Sequence, residues 1–306
     1  MERTQRDGIL FILLSVVGYA MFPVFARSLL PRGLEPIDLA VWRYAIAAPL
    51  MWLLVFGTNA PAPTPERPMP RLLLVVMGSM LALAALAGFS GLSILPAGTY
   101  VVLFFSFPAM VALISAFLGE RLSGRGWLAL GLTLVGISLT APDFSEGLSG
   151  ENARGVLIAF FNALVVAIYF VIVSRVLRGQ RAVARASAWA ITGSAVFLIA
   201  TALVFGAGGP RDLEEWGLII AMAAVSTVLP VFTLNMGLQR LGGPRAAILG
   251  TTEPLLAAVL AQLLLGEQML PEQWLGGLVI VFSVILLESR RLPQSAQRAE
   301  SAAGGD

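Results

Sequence analysis

Apolar residues run through this chain in blocks of about 17 to 25, the length that carries a helix across a hydrocarbon core of about 30 Å. They fall near 9–28, 37–57, 71–92, 97–118 and 125–141, and again near 155–177, 187–206, 215–238, 245–265 and 271–288. The breaks between blocks are short and carry Gly and Pro, as at Leu95-Pro96-Ala97-Gly98 and Gly242-Gly243-Pro244. Pro61, Pro63, Pro65, Pro68 and Pro70 mark a longer loop, and the polar stretch 293–306 is expected to be a disordered tail. The pattern predicts an all-α integral membrane protein with ten transmembrane helices.

Composition supports that reading. Hydrophobic residues make up 58% and charged residues 12% of the chain, against about 25% charged in a soluble domain. There is too little polar material to coat a water-facing surface. The sequence holds no Cys and no His, and all 20 basic residues are Arg. Thiolate and imidazole metal sites, the usual catalytic triads and disulfides all lose their parts. No metal, no cofactor and no enzymatic activity are expected. The Arg residues form no long basic tract, so no nucleic-acid partner is expected either. The partners implied are a small-molecule substrate and membrane lipids, and the sequence is compatible with a monomer.

The same Arg residues predict orientation, because basic residues in short loops are retained on the cytoplasmic side. With the N-terminus inside, fifteen Arg fall in inside connections (Arg3, Arg6, Arg67, Arg71, Arg121, Arg125, Arg175, Arg178, Arg181, Arg185, Arg240, Arg245, Arg290, Arg291 and Arg298). Four, Arg27, Arg32, Arg154 and Arg211, fall outside with the acidic clusters around Asp143 and Glu214. Both termini are therefore expected in the cytoplasm, with the chain in the bacterial inner membrane. Arg3 and Arg6 precede the first block as they would precede a signal peptide. That block is long for a signal core and no small-residue cleavage site follows, so it reads as a retained first helix.

Self-similarity organises the chain further. Leu95 to Thr140 aligns with Leu241 to Leu287, pairing Pro108 with Pro254, Gly119-Glu120 with Gly266-Glu267 and Trp127 with Trp274, at an offset of 146 that becomes 147 after one inserted residue. Gly91-Leu92 matches Gly237-Leu238, and Gly8 matches Gly155. The predicted organisation is a first five-helix repeat over 1–148 and a second over 149–292. Five being odd, the second is inverted relative to the first. Inverted repeats of this kind place a central cavity at the midplane and permit alternating access.

On these residues the sequence resembles the drug/metabolite transporter superfamily, in particular its EamA-type ten-helix exporters. The resemblance rests on Trp42-Arg43-Tyr44, on Pro108 through Gly119-Glu120-Arg121-Leu122-Ser123, on Glu253-Pro254 followed by Gly266-Glu267, and on Gly131 and Gly136. The first span shows Gly18-Tyr19 where the family usually carries Trp and a small residue. The resemblance implies export of amino acids or related metabolites across the inner membrane without ATP hydrolysis. The chain shows no phosphate-binding Gly-Lys-Ser/Thr loop, in agreement.

Glu253 is the sharpest candidate site residue. It lies eight residues past Arg245, about 12 Å of helix rise, where an ionisable group is rare and usually functional. It can serve as a protonatable switch or as partner of a substrate ammonium, or it can satisfy backbone freed by Pro254. Arg43 lies five residues past Asp38, about 7.5 Å in. Its guanidinium either snorkels to the headgroups or turns inward to hold a carboxylate. Inward, it and Glu253 would recognise a zwitterion, and their repeat counterparts Ala190 and Phe107 carry no charge.

Pro108 and Pro254 deprive the carbonyls of Phe104 and Gly250 of their helical partners, marking either hinges that line a path or simple kinks. Pro23, Pro49 and Pro230 read as kinks. Tyr44, Tyr100, Ser106, Asn162, Tyr169, Thr233, Asn235 and Thr252 supply further polar groups for substrate, with helix packing or interfacial anchoring as the competing use. Three other readings remain: efflux of amphipathic cations, a membrane-embedded lipid-modifying enzyme, and a passive channel.

Overall fold

The computed structural model describes residues 3–57, 70–94, 100, 103–119, 122–140, 151–178, 180, 182–265 and 271–288. Regular structure among them is helical throughout: α1 Arg3–Ala20, α2 Phe22–Leu29, α3 Pro36–Gly57, α4 Arg71–Ile94, α5 Phe107–Phe117, α6 Gly124–Thr140, α7 Glu151–Val176, α8 Val183–Phe205, α9 Leu213–Ala223, α10 Leu229–Leu241, α11 Gly243–Gly250, α12 Glu253–Leu265 and α13 Pro271–Glu288. A 3₁₀ turn, Leu30–Arg32, follows α2, and a π-helical turn, Ala224–Val228, joins α9 to α10. Glu120, Arg121, Asp143, Glu146, Gly266-Glu267, the 95–98 connection and the 293–306 tail lie outside the described residues.

Among the described residues seven helical stretches are long and apolar enough to span a bilayer: Thr4–Arg32, Pro36–Gly57, Arg71–Gly91, Ala153–Val176, Val183–Phe205, Leu213–Leu241 and Gly243–Leu264. Phe107–Phe117 and Trp274–Ser283 are shorter apolar helices. Large apolar side chains project from the bundle surface, Phe117 and Leu213 each 89% exposed. Water would penalise that surface and hydrocarbon does not. The chain is a multi-pass membrane protein.

Small residues set how closely the helices approach. Where α4 crosses α8, a Cβ on Gly78 would fall 1.8 Å from the Ala190 carbonyl oxygen, and one on Gly193 would fall 2.0 Å from that of Val75. Ser194 Oγ donates to the Gly78 carbonyl across the same crossing, at 2.7 Å. Elsewhere α1 runs along α10, α4 also along α7, α3 along α8, and α6 along α13. A buried hydroxyl pair, Thr133 Oγ1 and Ser283 Oγ at 2.7 Å, joins α6 to α13.

Proline interrupts the helices in matching ways. A turn at Phe105-Ser106 precedes α5 with Pro108 in its first turn, and a turn at Thr251-Thr252 precedes α12 with Pro254 in its first turn. At each turn a hydroxyl reaches back three residues to a carbonyl that also accepts a backbone amide: Ser106 Oγ donates to Leu103 at 2.7 Å and Thr252 Oγ1 to Leu249 at 2.9 Å. The three prolines read as kinks lie within helical stretches that continue past them. A turn at Met21, bridged by bonds from the Met21 amide to Val17 and from the Phe25 amide to Met21, precedes α2 with Pro23 in its first turn, and the π turn precedes Pro230. Pro49 lies inside α3.

At one end of the bundle the 30–35 and 206–212 connections meet. Arg32 pairs with Glu214, Asp38 Oδ1 accepts from the Gly208 amide at 2.5 Å, and Trp42 Nε1 donates to the Gly208 carbonyl at 2.8 Å. Asp212 caps α9 by accepting from the Glu215 amide at 2.8 Å, while Glu215 accepts from the Arg211 amide at 2.7 Å. This reciprocal cap fixes the start of α9, while the bonds to Gly208 tie the connection before it to α3.

Candidate functional site

A cavity of about 570 Å³ opens in the middle of the bundle, bounded by α1 to α5, α7 and α10 to α12. Its lining runs from Ile12, Leu234 and Gly250, deep in the bundle, to Leu30 and Pro36 beside the Arg32–Glu214 pair. Towards the opposite end, Leu74, Met77, Val111, Leu177, Leu238 and Ala246 pack into a buried apolar cluster. The volume suits a small organic solute.

Ten of the lining residues are aromatic. Tyr100, Phe104, Phe107 and Phe170 follow one another at centroid separations of 6.1, 5.5 and 5.3 Å. Phe22 and Phe89 form a second contact at 5.3 Å. Such faces attract cations as well as apolar groups.

Six of the ten sequence-derived binding candidates line this cavity: Glu253, Arg43, Tyr44, Tyr100, Asn162 and Tyr169. Glu253 opens α12 immediately after the Thr251-Thr252 turn, half-buried, and makes no hydrogen bond or ion pair among the described residues. Arg43 is buried rather than snorkelling. Its Nε donates to Thr227 Oγ1 at 2.5 Å, its Nη2 donates to the Ser226 carbonyl, and its Cζ sits 4.6 Å from the Phe22 centroid. Arg43 and Glu253 share the cavity wall without forming a salt bridge with each other.

Asn162 Nδ2 donates to the Tyr100 hydroxyl at 2.5 Å, and its buried Oδ1 has no partner among the described residues. Tyr169 donates to Asn235 Oδ1 at 3.1 Å, and Asn235 Nδ2 donates to Ser187 Oγ at 2.9 Å. Asn235 therefore stands behind the wall and orients Tyr169. Ser106, Thr233 and Thr252 also lie off the cavity surface, their hydroxyls bonded to carbonyls of their own helices, Thr233 to Leu229 at 2.8 Å. Pro108 and Pro254 stand behind it too, while Phe104 and Gly250, four residues before each, are wall residues.

Tyr19 and Ser15 are polar lining residues that the sequence reading did not name as candidates, Tyr19 being the one with an uncommitted hydroxyl among the described residues. Tyr19 lies within electrostatic reach of Tyr44, Tyr169, Arg43 and Glu253. The signal was present in the spacing. Ile12, Ser15, Val16 and Tyr19 form one helical stripe, repeated on α4 by Leu81, Ala84, Ala85 and Gly88.

The sequence profile of the EamA-like transporter family matches residues 6–141 and, a second time, residues 153–289. The chain belongs to the EamA-like transporter family. Among relatives, the uncharacterized transporter YcbK of Bacillus subtilis is 25% identical over 298 residues, covering 95% of each chain. The uncharacterized transporter sll1319 of Synechocystis is 30% identical over 211 residues, 67% of this chain and 62% of that one. A solved crystal structure, 18% identical, superposes with a TM-score of 0.78 over 92% of this chain and 96% of its own, a likeness of fold. For an EamA family member, a central aromatic cavity holding one unpaired carboxyl is the feature that bears on substrate.

Proposed function

We propose that this protein is a secondary transporter that exports amino acids or related small metabolites across the inner membrane by alternating access. The observation that carries the reading is the cavity with Glu253 and Arg43 both on its wall and not ion-paired to each other. A carboxylate without an internal partner is available to a substrate ammonium, and a fixed guanidinium to a carboxylate. A zwitterion satisfies both at once.

The architecture proposed is ten membrane helices in two inverted five-helix repeats, with units 1–148 and 149–292. Two profile matches in tandem support it. So does the packing: α1 on α10 in one half-to-half contact is mirrored by α7 on α4 in the other, and α6 on α13 joins equivalent helices. The breaks at Phe105-Ser106 and Thr251-Thr252 are repeat equivalents. The Arg distribution supports cytoplasmic termini, which puts Leu30 and Pro36 on the outer side and makes this conformation outward-facing. Rocking the halves would then close that mouth and part the apolar cluster at the other end.

A second reading, efflux of amphipathic cations, draws support from the aromatic wall and from the two bonds that already engage Arg43. Counterflow of labelled amino acids in proteoliposomes separates the two. Saturable exchange by the wild type, reduced at least tenfold in Glu253→Gln and Arg43→Ala, is the expected result. Absence of exchange for every amino acid by well-folded protein, with Glu253-dependent uptake of a lipophilic cation, would replace the first reading by the second.

A further inference from the structure

Arg43 is held by atoms that a regular helix would not offer. In an α-helix the amide of residue 230 would bond to the carbonyl of residue 226. Pro230 has no amide hydrogen, and its ring crowds that carbonyl. The chain responds with the π turn Ala224–Val228, in which the Leu229 amide reaches back to the Ala224 carbonyl. The Ser226 carbonyl is thereby released, and it is the acceptor that Arg43 Nη2 takes. Thr227, the next residue, turns its hydroxyl to Arg43 Nε. Both acceptors are buried.

A guanidinium carries five N–H groups in a fixed fork. Two are committed here, on the Nε and Nη2 side, and the ring of Phe22 covers one face at 4.6 Å. What remains for a ligand is the end-on edge, formed by Nη1 and the second hydrogen of Nη2. Glu253 does not occupy that edge, for it forms no ion pair.

We infer that Pro230 is a positioning residue for substrate recognition: by freeing the Ser226 carbonyl it docks Arg43 with its end-on edge towards the cavity, and so makes the site select solutes with a free carboxylate. The inference rests on the zwitterion reading above and adds its geometric cause. A carboxylate accepts two parallel N–H bonds from that edge, whereas a carboxamide presents one acceptor and one donor and leaves an N–H facing an N–H.

The test is competition for counterflow of labelled L-phenylalanine in proteoliposomes, using unlabelled L-phenylalanine and L-phenylalaninamide as competitors. In the wild type the carboxylate is expected to compete better by at least tenfold. In Pro230→Ala, which restores the amide and recaptures the Ser226 carbonyl, that ratio is expected to fall by about tenfold, a loss of the size of one charge-assisted bond. Thr227→Val, which leaves the backbone alone, should lower it in the same direction. Combining Pro230→Ala with Arg43→Ala should lower it no further than Arg43→Ala does, because Pro230 acts through Arg43. Robust exchange with an unchanged ratio in both Pro230→Ala and Thr227→Val overturns the inference and leaves the transport reading standing. No saturable exchange of phenylalanine by folded wild-type protein, with a lipophilic cation transported instead, overturns both.

Discussion

Tyr169, Asn235 and Ser187 form a hydrogen-bonded line through three helices, and all three side chains are buried. Asn235 uses its oxygen for the phenol and its amide hydrogen for the serine, so removing it strands polar atoms on both sides. Each stranded group costs about 1–3 kcal/mol in a dry interior. Asn235→Leu is therefore expected to lower the thermal midpoint of detergent-purified protein clearly more than Tyr169→Phe, which removes one donor and leaves Asn235 its Ser187 bond. Equal midpoints for the two variants would mean that the line is not holding the cavity wall. Ser106 and Thr252 teach the complementary lesson. Their hydroxyls bond to backbone carbonyls three residues back in the neighbouring turns, which is why a polar residue inside a span is a poor guide to substrate contact.

Helices α4 and α8 meet almost backbone to backbone, with Gly78 and Gly193 on facing sides of one crossing. A Cβ at either glycine would lie only 1.8 to 2.0 Å from a backbone oxygen of the facing helix, so a larger residue must push the helices apart. Overpacking of this kind costs about 1–3 kcal/mol and often more when backbone is what must move. Gly78→Leu and Gly193→Leu are each expected to reduce the yield of monodisperse protein and its thermal midpoint. Gly124→Leu serves as the comparison, since a Cβ there meets no atom within 4 Å and the midpoint should be unchanged. The broken helices obey a different constraint. In α5 and α12 the proline sits in the first turn, where its missing amide costs nothing, and the break falls just before it.

Across the whole molecule the cavity reaches one end of the bundle and an apolar cluster fills the other. Since the chain has no cysteine, single-cysteine variants report orientation without background. Ala207→Cys, in the 206–212 connection, is expected to react with a membrane-impermeant maleimide in intact cells. Arg178→Cys, at the opposite end, should react only after permeabilisation. The reverse pattern would invert the proposed topology and make this conformation inward-facing.

The sequence by itself determined the solvent and the helical class, because lipid forces long apolar runs whose backbone must bond within itself. It also located Glu253 and Arg43, since charges within such runs are few. The distinction between wall and support came only from tertiary structure. Tyr19 and Asn235 are both polar residues in apolar spans, yet one faces the cavity and the other stands behind it, an outcome set by which face each helix turns inward. Arg43 shows the same limit in energetic terms. Its depth left snorkelling and burial open, and the choice was decided by acceptors on a distant segment, at Ser226 and Thr227, that exist only where the chain folds back beside it.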